Sequence, residues 1–517
     1  MKILSAIAGD KAPGWEFLLN QEGFSYVYLR NIADHDYSVL IVPESVDDKN
    51  VSMITEYLRV GGGVLCSANS FEKIATHSCR SEKIKYLVPE LQSPLDGVGV
   101  LDVDMICQIP GNANCFHTNG SNNAVFCGEW GGGYIIVLPF DAGQLVLDHR
   151  ICMKSFYSSK QRLPFERVSL VNRAALRKLV SRSLQILHHR RGLPYIHLWY
   201  YPDAQPSVFM FRIDTDYADK GDIEKLYTYC QQHNTSATWF LDVKSQQGIL
   251  NVFTQMQDQE IGIHCFEHKI FDDVESNVKN ISMAKNILDD AGLHARGFAA
   301  PYGAWNPAIA AAISMSGFEY SSEFSYDYDN LPSYPVAGML QKSVLQIPVH
   351  PISIGSLKRQ GFSDEEMIEY FRSAIGMKES SHDPMCFYHH PKNGHEDVLQ
   401  TIFNHAAEKN VPAMTMHEYS LWWKQRDKVR LSSRYESGKI TLTAEGESQN
   451  IMARITSENG REAFIPAGES ILEAEIQWRQ KPQVEPLPGD INRIRQFNFW
   501  IPLIRFEDFL HNNFRQS

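Results

Sequence analysis

No stretch of the 517-residue chain is long and apolar enough to span a bilayer, which takes about 20 consecutive apolar residues. The opening MKILSAIAGDKAPGW meets Asp10 and Lys11 before its apolar run reaches the length of an export-signal core. A basic excess is also missing. Lys and Arg total 49 against 61 Asp and Glu, for a formal net charge of -12. That balance argues against a nucleic-acid backbone or an anionic membrane surface as the main partner. The nine cysteines are scattered, with no paired zinc-type spacing. An odd count without an export signal fits reduced thiols and a cytoplasmic setting. Cys265 and Cys386 lie beside candidate site residues and read as small packing residues. No Gly-Lys-Ser/Thr phosphate loop, internal repeat or low-complexity tract is present.

What is present divides into regions, because this length exceeds a single core and suggests about three domains. Residues 1–191 alternate strand and helix patterns. Strands are expected at Lys2 to Ala6, Ser38 to Pro43, Val64 to Cys66 and Tyr134 to Pro139. Helices are expected near Trp15 to Gln21, Val51 to Val60 and Arg173 to His188. This alternation implies a doubly wound, flavodoxin-like α/β sheet. It resembles the class I glutamine-amidotransferase-like fold, without that family's nucleophile: Cys66 runs into Ser67-Ala68-Asn69, so the Gly-x-Cys-x-Gly elbow is absent. A non-catalytic role follows. Residues 192–206 read as a proline-broken linker whose Trp199, Tyr200 and Tyr201 would dock neighbouring domains. Residues 427–480 alternate like a small all-β module, and 481–517 form a tail with an aromatic helix pattern.

Residues 207–426 carry the chemistry, in four signals. The first is Ser207 to Asp216, SVFMFRIDTD, where an apolar strand runs into two carboxylates. Period two puts Asp214 and Asp216 on one face, and such a pair repels unless a cation or proton intervenes. A pair of turn-capping acids is the bland alternative. The second is His264-Cys265-Phe266-Glu267-His268. Histidines at i and i+4 share a helical face and can chelate one ion, though ordinary surfaces carry such pairs too. Glu267 stands in the wrong place for a His-Glu-x-x-His protease motif. The third is RGFAAPYGAWN, Arg296 to Asn306, with a Pro301-Tyr302-Gly303 turn. The fourth is CFYHHP, Cys386 to Pro391. Each alone is weak.

Together their order and spacing resemble the polysaccharide deacetylase family, the NodB-homology fold of carbohydrate esterases. The resemblance implies an irregular (β/α) barrel with the site at strand C-terminal ends. It implies a divalent metal, with Zn²⁺ the expected ion, on Asp216, His264 and His268. It assigns Asp214 as the base that takes the water proton. The Tyr302 backbone N–H becomes an oxyanion donor, and His390 the acid, with His389 its competitor. Ser321 to Phe324 fall where the family's fourth motif lines the groove. The implied reaction is removal of an N-acetyl group from an amino sugar or polysaccharide precursor. Two other readings stay open: a catalytically weakened carbohydrate-binding fold, and a hydrolase of a non-sugar amide.

One departure matters. The family's usual Arg before Ala-Pro-Tyr is replaced by Ala299. Arg212 shares strand parity with Asp214 and is expected to pair with it. Arg296 is the competing source of that charge.

Overall fold

The computed structural model describes residues 1–481 and 502, apart from 10, 30–35, 45, 47, 76–77, 91, 119–121, 157–162, 337–343 and 410. The expected helix in the tail falls outside the described residues. None of the described helices is long and apolar enough to cross a membrane.

The first sheet has seven strands, in the spatial order Tyr26–Leu29, Ser5–Ala8, Val39–Val42, Gly63–Ser67, Gly133–Leu138, Asn123–Trp130 and Cys115–His117. The first five run parallel and the last two pair antiparallel. Its apolar strands are buried on both faces, as a parallel sheet requires. Val39, Ile41 and Leu65 share a core with helices Pro13–Glu22 and Arg173–His189. Leu40, Val42 and Val64 share another with helices Asp48–Arg59 and Ala68–Ala75. The hairpins Cys79–Leu87/Leu101–Pro110 and Ile151–Ser155/Phe165–Ser169 were not legible in the sequence. The outer strand of the first, CRSEKIKYL, is polar and mostly exposed, so it gives no clean apolar period.

The second large sheet is a half-barrel of seven parallel strands. Their order is Leu345–Gln346, Tyr320–Ser321, Gly297–Phe298, Glu260–Cys265, Ala237–Asp242, Phe209–Asp214 and Met385–His389. Strand alternation sorts its side chains. Phe211, Ile213 and Phe387 join the core under the outer helices. Met210, Phe240 and Tyr388 join an inner core that also takes in Trp199, Tyr200 and Tyr201.

The segment 192–206, expected as a linker, is partly a strand. Tyr195–Leu198 is a strand, paired antiparallel with Met452–Thr456 in a four-stranded sheet. Of the strands expected in 427–480, Met452–Thr456 therefore shares a sheet with a segment more than 200 residues upstream, while Lys439–Glu445 pairs in a separate three-stranded sheet. Prolines at 194, 202 and 206 mark its edges but do not prevent four residues of pairing. Arg426 fixes the segment further, donating from Nε to the Trp199 carbonyl at 2.7 Å and from Nη2 to the Leu198 carbonyl at 3.1 Å.

Glu22, at the end of the first helix, is the buried joint of these parts. Its Oε1 accepts from the hydroxyls of Ser181, Tyr195 and Tyr200 at 2.5, 3.2 and 2.7 Å, and Oε2 accepts from Arg177 at 3.0 Å. Burial alone would push this carboxyl up, yet His197, Arg177 and the hydroxyls bring it down to about 2. A depressed folded pKa gives stability present above the ordinary value of 4.5 and lost as pH falls toward 2. Glu22→Gln should cost about 3–5 kcal/mol, because Arg177 is left as a buried charge without its main partner. Urea unfolding at pH 7 checks this; an unchanged midpoint would show that the cluster contributes nothing net.

Candidate metal centre

Every sequence-selected site residue except Arg212 lies at or beyond a C-terminal strand end of the half-barrel. The strand Phe209–Asp214 ends on Asp214, and the chain then turns so that Asp216 reaches back over the sheet edge. His264 is the penultimate residue of Glu260–Cys265, and His268 follows in a bend. The expected shared helical face is thus not how the two histidines meet. The strand stops at Cys265, and a four-residue turn brings His268 round; Asn280 holds that turn, with Oδ1 accepting from Glu267 N–H at 2.7 Å.

The three side chains converge. Asp216 Oδ1 lies 3.2 Å from His264 Nε2, and Oδ2 lies 3.2 Å from His268 Nε2. One ligand atom from each falls within 4.8 Å of the others. His264 Nδ1 contacts the Ala299 carbonyl at 2.6 Å. A carbonyl only accepts, so Nδ1 carries the hydrogen and Nε2 presents its lone pair inward. Asp216 Oδ1 and His268 Nε2 are buried without a well-formed hydrogen bond among the described residues. Two imidazoles and a carboxylate that converge, with unsatisfied buried atoms, are a donor set that would hold a divalent ion. Electrostatics agrees. Burial would raise the Asp216 carboxyl, but His264 and His268 hold it well below the usual range. Burial would lower the His264 imidazole, and Asp216 reverses that and pulls it up.

Beside this trio, Arg212 grips Asp214 in a two-point pair: Nε to Oδ1 and Nη2 to Oδ2, both 2.7 Å. Its Nη1 donates to the Ser322 carbonyl at 2.7 Å and contacts Ser322 Oγ at 3.2 Å. The guanidinium sits between the rings of Phe240 and Tyr388, at 5.4 and 5.5 Å. Arg296, the competitor, is largely exposed and lies 3.7 Å from Glu319 instead. Ser322 and Glu323, expected along the groove, are buried. They serve from below, Ser322 on Arg212 and Glu323 accepting from Ala300 N–H at 3.2 Å.

The Pro301–Gly303 turn closes another side. Tyr302 has φ 61 and Gly303 φ 56. A Cβ at Gly303 would fall 2.3 Å from the Phe324 ring, so both backbone and space demand glycine there. A left-handed tyrosine is an uncommon strain of the kind that gathers at functional sites. The Tyr302 ring packs on His268 at 4.8 Å, and exposed Tyr217, also left-handed at φ 52, flanks His268 at 5.5 Å.

The last strand separates the two adjacent histidines. His390 Nε2 lies 3.4 Å from Asp216 Oδ2 and is 23% exposed. His389 faces the opposite side, beside Phe211 at 6.4 Å. Burial and the neighbouring His390 push its imidazole down to about 3. His390→Ala should therefore cut turnover by about 10²-fold or more. His389→Ala should act on stability and leave turnover per folded molecule nearly unchanged. Steady-state rates of both variants decide it, and equal losses would undo the distinction.

Sequence reading missed Asp242, which ends the strand ATWFLD. It is buried beside the trio, with Oδ2 unpartnered among the described residues and Oδ1 3.9 Å from Cys265 Sγ. An apolar strand ending on a carboxylate was the available signal, the same one that marks Asp214.

Comparison with known proteins bears on this region. Residues 203–321 match the family model for polysaccharide deacetylase. Asp214, Asp216, His264, His268 and Tyr302 fall inside the match, and His390 outside it. Among solved structures, the peptidoglycan deacetylase PdaC from Bacillus subtilis is 14% identical, covering 44% of this chain and 96% of that one at a TM-score of 0.32. A family 4 carbohydrate esterase from Streptomyces lividans, in complex with acetate, is 13% identical over 41% and 93%, TM-score 0.30. Puue allantoinase is 15% identical over 43% and 92%, TM-score 0.36. At these scores the likenesses assign nothing by themselves. No curated protein matches the chain.

Proposed function

We propose that the chain is a metal-dependent hydrolase that removes an N-acetyl group from an amino sugar or a polysaccharide precursor. The observation that carries this reading is the Asp216, His264 and His268 cluster beside an arginine-held Asp214. When bound, a divalent ion, with Zn²⁺ the best fit to two imidazoles and a carboxylate, supplies activation of a water and polarisation of the acyl oxygen. Asp214 takes the proton from that water. Its two oxygens each give one lone pair to Arg212 and keep another for the proton. The Tyr302 backbone N–H donates to the oxygen that gains charge as the carbonyl becomes tetrahedral. His390 hands a proton to the departing amine nitrogen. The products are acetate and the free amino sugar.

The bidentate Arg212–Asp214 pair favours this reading over a catalytically weakened binding fold. It supplies, from the same strand, the charge that Ala299 cannot. A cytoplasmic precursor, such as a nucleotide- or lipid-linked sugar, is the substrate source this reading takes. The domain limits 1–191, 207–426 and 427–480 stand as part of the same proposal, with catalysis in the middle region.

The test is acetate release from a panel of N-acetylated mono- and oligosaccharides by zinc-loaded protein, with a chelator control. Release that the chelator abolishes is expected. Binding of the sugars without acetate release would favour the weakened fold. Activity confined to small non-sugar amides would move the substrate class.

A further inference from the structure

A cavity of about 1530 Å³ lies between the N-terminal region, the segment 328–383 and the C-terminal strands. None of the seven candidate catalytic and metal-binding residues lines it. It exceeds the roughly 300–1,000 Å³ typical of small-ligand sites. The described lining residues include eight Lys and Arg against five Asp, in a chain whose net charge is -12.

Most of these charges are matched locally. Lys154 meets Asp102 at 2.7 Å, Lys178 meets Asp383 at 2.5 Å, and Lys378 meets Asp329. Arg177 and Arg454 reach the carboxylates of Glu22 and Glu462, at 3.0 and 2.6 Å. Of the three other cations of the lining, Arg182 and Lys481 meet no carboxylate in an ion pair among the described residues. Among the described residues, Arg182 donates to neutral oxygens, the Pro94 carbonyl at 2.9 Å and Gln185 Oε1 at 2.6 Å. The Lys481 ammonium has no hydrogen bond or ion pair among the described residues. Burial, and then Arg454 and Arg182, pull that ammonium down to about 7 and outweigh the opposing Glu462 carboxylate, the mark of cations crowded together.

We propose that this cavity binds a soluble, phosphate-bearing metabolite, with the phosphate on Arg182 and Lys481. The charges match, since a phosphate monoester carries about -1.5 to -2 at neutral pH and offers three strong acceptor oxygens. A carboxylate would neutralise only one of the two cations. Arginine forks and lysine point charges are the usual phosphate binders. The remaining volume, walled by Tyr86, Tyr195, Tyr200, Tyr328 and Tyr370, has room for a larger polar body such as a sugar ring. His382 Nε2 and Asp383 Oδ1, both buried and without a hydrogen-bond partner among the described residues, offer that body further polar contacts.

The probes are inorganic pyrophosphate and glucose 1-phosphate, titrated calorimetrically into the full-length chain. Saturable binding is expected, weakened about tenfold or more by Arg182→Glu and by Lys481→Glu. His268→Ala should bind both probes as the wild type does, because the metal centre lies elsewhere. If a charge reversal prevents folding by circular dichroism, Arg182→Gln and Lys481→Gln carry the same test. Absence of saturable binding of either probe at millimolar concentration, or equal binding by the charge variants, overturns the proposal. Neither result bears on acetate release, so this site and the deacetylase reading fail separately.

Discussion

His268→Ala is expected to empty the metal centre and abolish turnover together. The wild-type chain should carry about one divalent ion, since three converging ligands bind with far more free energy than two. His268 is the ligand of choice for the test. It stands in a bend after its strand, so its loss removes no ladder hydrogen bond and no core side chain. The first sheet, whose two cores include no residue of the metal centre, should unfold at the wild-type midpoint. Elemental analysis of protein purified in zinc gives the answer. Equal metal in wild type and variant would remove Asp216, His264 and His268 from the metal role. Metal lost with turnover retained would remove the metal from the reaction.

How much of this was visible in the sequence follows from what each residue's position depends on. Strand parity alone put Arg212 and Asp214 on one face, and the structure joins them at 2.7 Å. Parity also separates His389 from His390, but only the fold says which face is the inner one. The His264 and His268 spacing gave convergence with the wrong local geometry, because a helix turn and a strand followed by a tight bend can both bring i and i+4 together. Tyr195–Leu198 was misread as linker for a different reason. Its partner strand, Met452–Thr456, is remote in sequence, and pairing at that distance leaves no local period. Ser322 and Glu323 were expected along the groove by resemblance, and only the fold shows that they sit beneath it, on Arg212 and Ala300; Asp242 escaped notice because it stands outside the four motifs. In ATWFLD the carboxylate that closes an apolar strand was the one signal, and alone it does not separate a site residue from an ordinary strand end.

Arg212→Met and Asp214→Asn should both keep the metal and lose turnover, by different routes. Asp214→Asn removes the arginine-held proton acceptor beside the trio, and general-base loss costs about 10²–10⁴ in rate. Asparagine preserves the shape and one hydrogen bond to the guanidinium, so the fold should survive. Arg212→Met removes no reacting group. It releases Asp214 from the two bonds that fix both carboxylate oxygens and deletes the contact to Ser322. The pair is completely buried, so the orphaned carboxylate also costs stability, about 3–5 kcal/mol. Positioning rather than proton transfer is then at stake, and a misplacement of 1 Å can cost about 10²-fold. The discriminating readout is Arg212→Lys. Lysine restores the charge but not the fork. Recovery of folding stability with turnover still low would show that the two-point geometry, beyond the charge, readies Asp214. Full recovery of rate in Arg212→Lys would reduce the role to charge alone. Wild-type rates in Arg212→Met, with metal bound, would leave Asp214 without need of the arginine and make the pair a structural bond of the barrel wall.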